Sequence, residues 1–233
     1  DCGVESEALA GNIYREDEEA LIIYGEKRGG QSVVPDYPCV YLSASPARVV
    51  AKKKGVGAAC KVFLMRENDI GVNRRAGNLH ELPVEVYART TNGQDRLSGN
   101  IHFFHSYECC ARQYWRSRPL CGHERVIVLI GFGCYGSSIL ERAVLTNIIS
   151  VDQNVTYHIF GDAGEFLAVH YRLGEVFSVN RESGTGDSLI FHKDAWEENH
   201  SVLERADRII ICEDDEQAGW GILWTLHKYY RGF

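Results

Sequence analysis

Apolar and polar positions along the chain fall into blocks that predict an α/β protein. The clearest block is Val126-Ile127-Val128-Leu129-Ile130, an uninterrupted apolar run following Arg125, as expected of a strand buried on both faces. It empties directly into Gly131-Phe132-Gly133-Cys134-Tyr135-Gly136. Beyond that turn, Ile139, Leu140, Ala143 and Val144 share one helical face and predict a helix over 137–146. Similar short apolar runs predict strands at 21–24, 40–42, 61–65, 84–88, 101–104, 157–160, 189–191 and 208–211. Helices are predicted over 7–14, 106–116 and 216–230, and over 69–82, which Pro83 ends. Ser45-Pro46 opens another helix and Gly55 stops it, so Lys52-Lys53-Lys54 lies in its last turn, where cations oppose the helix dipole. That reading is preferred to a phosphate or nucleic-acid patch.

The pattern repeats. Leu21-Ile22-Ile23-Tyr24-Gly25-Glu26 matches Tyr157-His158-Ile159-Phe160-Gly161-Asp162, and both end in glycine plus a carboxylate. Val40-Tyr41-Leu42 matches Leu189-Ile190-Phe191, and the run from Lys61 to Asp69 matches Arg208 to Asp215 with one residue of slip. The expected fold is therefore two tandem Rossmann-like α/β units, with mostly parallel sheets and helices on both faces. A first lobe covers 1–92, a connector strand and crossover helix cover 93–124, and a second lobe covers 125–233. On that helix Tyr107, Tyr114 and Trp115 read as core in preference to an interface. In the first lobe Asp1 to Ser6 stands where the glycine turn belongs, so this copy is degenerate and lacks its first strand. The second copy lacks a last strand. A larger parent protein is the expectation, although a disordered or trimmed N-terminus would give the same pattern.

Composition narrows the function classes. Of 233 residues 45% are hydrophobic, enough for real cores. No run approaches the ~20 apolar residues needed to span a bilayer, and the acidic start does not resemble an export signal. The net charge of −7 argues against a nonspecific nucleic-acid binder, which needs a basic surface. The eight cysteines include no Cys-x-x-Cys pair, which points to reduced thiols and a cytoplasmic setting, including the cytosolic part of a membrane-associated protein. His102 and His105 share a short strand whose alternation turns them to opposite faces, so no metal site is expected there.

The glycine turn carries the candidate chemistry. Gly-x-Gly-x-x-Gly between a strand and a helix opens a dinucleotide-binding βαβ unit: the first glycine makes the turn, the second admits a pyrophosphate, and the third lets helix pack on strand. The helix amides then point at the anion. The expected ligand contacts are Gly131, Phe132, Gly133, Cys134, Tyr135 and Gly136, with Asp162 on the adenosine ribose and Asp194 and Glu213 completing the set. Asp162 equally suits a turn cap. A carboxylate there favours NAD or an adenine nucleotide over NADP; Glu26 is its first-lobe counterpart. Glu213-Asp214-Asp215-Glu216 reads as the acidic start of a helix, with a divalent cation as the sharper alternative. Cys134 at a helix N-terminus is either a small filler or a redox-sensitive thiol. No catalytic residues are expected, since neither a triad nor a substrate region is signalled.

Together these residues resemble the RCK or TrkA-N family, the cytosolic regulatory domains of potassium transport systems. The resemblance rests on strand, glycine turn, helix, and a second strand with a terminal acid. Asp69-Ile70-Gly71-Val72-Asn73 is similar to the family's later Asp-Asp-x-x-Asn, and Pro83 to Arg89 to its fifth strand. Asp214 to Gly219 keeps the acids and loses the asparagine. The resemblance implies a sensor: NAD or NADH, or else AMP, ADP or ATP, fills the cleft and changes lobe packing in a homo-oligomer attached to further domains, either a membrane transport module or another effector or ligand-binding module. The rival readings are an NAD-dependent oxidoreductase and an interaction module with a vestigial nucleotide site.

Overall fold

The structure is a computed structural model. It describes residues 4–18, 22–24, 39–41, 61–65, 72, 76–77, 79, 84–90, 99–150, 152–184 and 186–230. The helix expected from Ser45-Pro46, the Lys52–Lys54 run, Glu26 and Asp69 lie outside the described residues. The chain divides into two compact units, Asp1–Ser106 and Tyr107–Phe233. Both are α/β with parallel sheets.

In the first unit, helix α1 (Val4–Glu16) precedes a parallel pair, β1 (Ile22–Tyr24) and β2 (Cys39–Tyr41). A separate parallel sheet has the order β3 (Lys61–Leu64), β4 (Glu85–Arg89), β5 (Ile101–Phe104). Alternation along β4 sends Val86 and Ala88 into a core shared with Leu64, Val72, Ala76, Leu79, Val84 and Ile101. Tyr87, between them in sequence, stacks on Phe63 at 5.1 Å and on His102 at 5.0 Å.

The second unit begins with α2 (Ser106–Ser117) and continues through β6 (Val126–Ile130), α3 (Cys134–Thr146) and β7 (Thr156–Phe160). Two helices, α4 (Gly164–Val169) and α5 (Tyr171–Ser183), lead to β8 (Ser188–His192). A 3-10 turn (Trp196–Glu198), α6 (His200–Leu203), β9 (Arg208–Ile211) and α7 (Glu216–Tyr229) complete it. All strands are parallel, in the order β8-β7-β6-β9.

Central placement explains the composition of β6. Ile127 and Leu129 enter one core with Trp115, Ile139, Leu140, Tyr157 and Phe166, while Val128 and Ile130 enter another with Phe160, Leu203 and Leu226. Helices therefore cover both faces, and a strand buried on both sides must be apolar throughout. Each such side chain contributes roughly 1.5–3 kcal/mol of burial energy. Two of the three α2 aromatics belong to the core: Trp115 is buried, its indole N–H donates to Ile139 O at 2.9 Å, and Tyr114 packs alongside, while Tyr107 is half-buried outside that cluster. The connector stretch thus supplies one strand to the first unit's sheet and one helix to the second unit's core.

Candidate functional site

In open α/β sheets ligands bind beyond the carboxyl ends of the strands, where the strand order reverses. In β8-β7-β6-β9 that point lies between β6 and β9, and the glycine turn sits there. Gly131 has φ +84° and its N–H donates to Phe160 O at 2.9 Å, which ties the turn to the end of β7. The helix begins at Cys134, three residues earlier than its apolar face implied, so the amides of Cys134 and Tyr135 open it. Gly133 occupies the N-cap position and offers no side chain to those amides.

Asp214, at the end of β9, supplies that missing cap. The N–H of Cys134 donates to Asp214 Oδ2 at 3.0 Å and that of Tyr135 to Oδ1 at 3.2 Å. A Cβ on Gly133 would overlap the same carboxylate. The second glycine thus admits an anion close to the backbone, and in this fold the anion is the chain's own. A pyrophosphate taking these amides would have to displace Asp214, so the glycine cradle fits the cofactor only after that displacement.

The other acids of the quartet have separate tasks. Asp215 is the N-cap of α7, its Oδ1 accepting from Ala218 N–H at 2.8 Å, and Glu216 lies in the first turn. Glu213 lies against Gly131, where a Cβ would approach Glu213 N at 2.8 Å and Oε1 at 2.7 Å. Among the described residues no group of three His, Cys, Asp or Glu side chains is placed to hold a metal ion.

The remaining expected contacts are arranged unequally. Phe132 turns its ring into the core, edge-on to Phe166 at 5.3 Å and Phe191 at 6.0 Å, so its backbone is the part that borders the turn. Its backbone also sits against Gly161 (φ +144°), where a Cβ would meet Phe132 N at 2.7 Å. Tyr135 packs on the core, and burial pushes its hydroxyl up to about 12. Asp162 lies exposed at the tip of β7, and its Oδ1 accepts from Gly164 N–H at 2.9 Å, the turn-capping bond. Asp194 is exposed just beyond β8.

The electrostatics at this end of the sheet are negative. Burial, then the carboxylates of Asp214 and Glu165, push the Cys134 thiol above its ordinary value, although the residue is exposed at a helix N-terminus. The dipole alone would have lowered it. In the sequence Asp214 reads only as part of an acidic helix start; its place after β9, the strand beside β6, is the signal that links it to the turn. No helix among the described residues is long and apolar enough to cross a membrane. No protein-family model, curated protein or solved structure matches the chain.

Proposed function

We propose that the chain is a nucleotide-binding regulatory region built from tandem Rossmann-like lobes, the second of which takes NAD, NADH or another adenine nucleotide. The observation that carries this reading is the glycine turn at the switch point between β6 and β9, with an exposed acid at the tip of β7. In this reading the turn and the first amides of α3 hold the phosphates, and Asp162 accepts from the ribose hydroxyls. Asp194 and Glu213 complete the ligand contacts in the same reading. The RCK or TrkA-N resemblance extends the role to ligand-dependent control of potassium transport in a larger, oligomeric protein of the cytoplasm. No chemistry on the nucleotide is assigned to the chain's residues.

A second reading, an interaction module with a vestigial nucleotide turn, draws on the Asp214 contact, because an internal carboxylate already satisfies the amides. Thermal-shift titration separates the two. A ligand at a hundredfold excess over Kd stabilises the folded state by about 2.7 kcal/mol. NAD, NADH, AMP, ADP and ATP are titrated against the wild type, Asp162→Ala and Asp214→Ala. The proposal expects a shift with at least one nucleotide, diminished in Asp162→Ala. No shift with any of the five, in the wild type or with Asp214 removed, leaves the interaction module standing.

A further inference from the structure

Carboxylates from neighbouring segments tie this sheet together at more than one place. At the amino ends of the strands Asp207 Oδ2 accepts from Arg125 N–H at 2.7 Å and Val126 N–H at 2.9 Å, and Asp187 Oδ1 accepts from Val155 N–H at 2.8 Å. These fix strand register far from any ligand cleft. Asp214 makes the same kind of pair at the opposite end, on the first amides of α3. That is the end where α/β sheets bind ligands. Its neighbour Asp215 already caps α7, so the reach of Asp214 across to α3 is not a by-product of starting its own helix. Gly133 leaves the room that the carboxylate fills.

We propose that Asp214 is a built-in competitor for the phosphate position, holding the site closed until a phosphate-bearing ligand displaces it. This rests on the nucleotide-binding reading above and adds its regulation. Asp214 and the ligand phosphate are both anions seeking the same two N–H donors, so they exclude one another. The observed affinity is then the intrinsic affinity reduced by the fraction of molecules with Asp214 withdrawn.

The test is calorimetric titration of ADP, NAD and inorganic pyrophosphate into the wild type, Asp214→Asn and Asp214→Ala, with folding of each checked by tryptophan-detected melting. Binding about tenfold tighter in Asp214→Ala, with Asp214→Asn between, is the expected result. Binding in a variant alone also supports the competitor. Equal or weaker binding in both folded variants overturns it while leaving the nucleotide reading intact, and makes Asp214 a permanent clamp like Asp207. No binding of any probe by any of the three proteins removes the nucleotide reading and the competitor with it. The amide resonances of Cys134 and Tyr135 give a ligand-free check. They should move in Asp214→Asn more than amides elsewhere in α3, and unchanged resonances in that variant overturn the contact itself.

Discussion

Arg208, the first residue of β9, offers a prediction whose size follows from the structure. Its guanidinium grips Glu124 with two parallel bonds, Nε to Oε1 at 2.7 Å and Nη2 to Oε2 at 2.8 Å. It also donates to Arg118 O at 2.8 Å and Pro119 O at 3.0 Å, and lies 5.3 Å from the Trp115 ring centre. The Glu124 side chain is 6% exposed and that of Arg208 16%. Arg208→Met would therefore strand a nearly buried carboxylate, left with the Cys121 N–H at 2.6 Å, together with two carbonyls. Removing one member of a buried pair costs about 3–5 kcal/mol. The residual exposure of Arg208 places this case near the lower end, about 3 kcal/mol. For a unit of this size that lowers the melting temperature by roughly 10 °C. All four tryptophans, Trp115, Trp196, Trp220 and Trp224, fall within the second unit, so their fluorescence follows its unfolding selectively. Glu124→Leu combined with Arg208→Met should cost clearly less than the two single changes added, because neither charge is then stranded. A single variant melting within about 2 °C of the wild type, against the shift expected from stranding a charge, would refute the reasoning, as would strict additivity.

Four further outcomes are expected. Gly131→Ala forces a side chain into φ +84° and against Glu213 N at 2.8 Å, and should lose at least ~2 kcal/mol in urea unfolding. Gly122→Ala, with nothing within 4 Å of the added carbon, should stay within about 0.5 kcal/mol of wild type. The amides of Arg125 and then Val126 hold the Asp207 carboxyl below its ordinary value. Its contribution is therefore present above the unfolded carboxylate range and lost as pH falls through the lowered value, so Asp207→Asn should flatten the acid limb of the stability profile; an unchanged limb contradicts this. Cys134, raised by burial, Asp214 and Glu165, should be alkylated by iodoacetamide at neutral pH more slowly than a free thiol despite its exposure. Asp214→Asn should speed that reaction, and an unchanged rate would remove Asp214 from the thiol's surroundings.

Strands were legible in this sequence wherever burial on two faces produced an uninterrupted apolar run. Val126 to Ile130 is the clearest case, and β7, β8 and β9 follow within a residue or so of their expected ends. The helix after the glycine turn was legible from Ile139, Leu140 and Ala143, which are buried as their spacing requires. Its first turn was not, because Cys134 and Tyr135 belong to the turn pattern and carry no helical periodicity. Helices α4 and α5 escaped for a different reason. Val169, Tyr171 and Val176 are exposed there while Phe166 and Phe177 are buried, so apolar residues mark both faces and blur the period. The Asp214 contact could not be read from spacing at all, since it joins residues 80 positions apart.

The glycines themselves illustrate how far a turn motif can carry a functional argument. Gly131 is required by its positive φ and by the backbone of Glu213, and Gly136 by Gly131 O, which an added Cβ would approach at 2.7 Å. Gly133 leaves room for the Asp214 carboxylate, which an added Cβ would overlap. Each of the three is therefore accounted for by contacts within the fold before any ligand enters. A bulky residue at any of them would disturb the packing of β9 against the start of α3, so lost binding in such a variant would not distinguish a ligand cradle from a folding requirement. Asp162 and Asp214 are better placed to decide. Asp162 stands exposed beside the turn, and its single observed bond is local to its own loop. Asp214 competes with a phosphate but is also replaceable without entering the core. If removing the first weakens nucleotide binding while removing the second strengthens it, the turn is a ligand site with an internal anion. If both changes leave binding absent, the glycine spacing reflects chain packing alone.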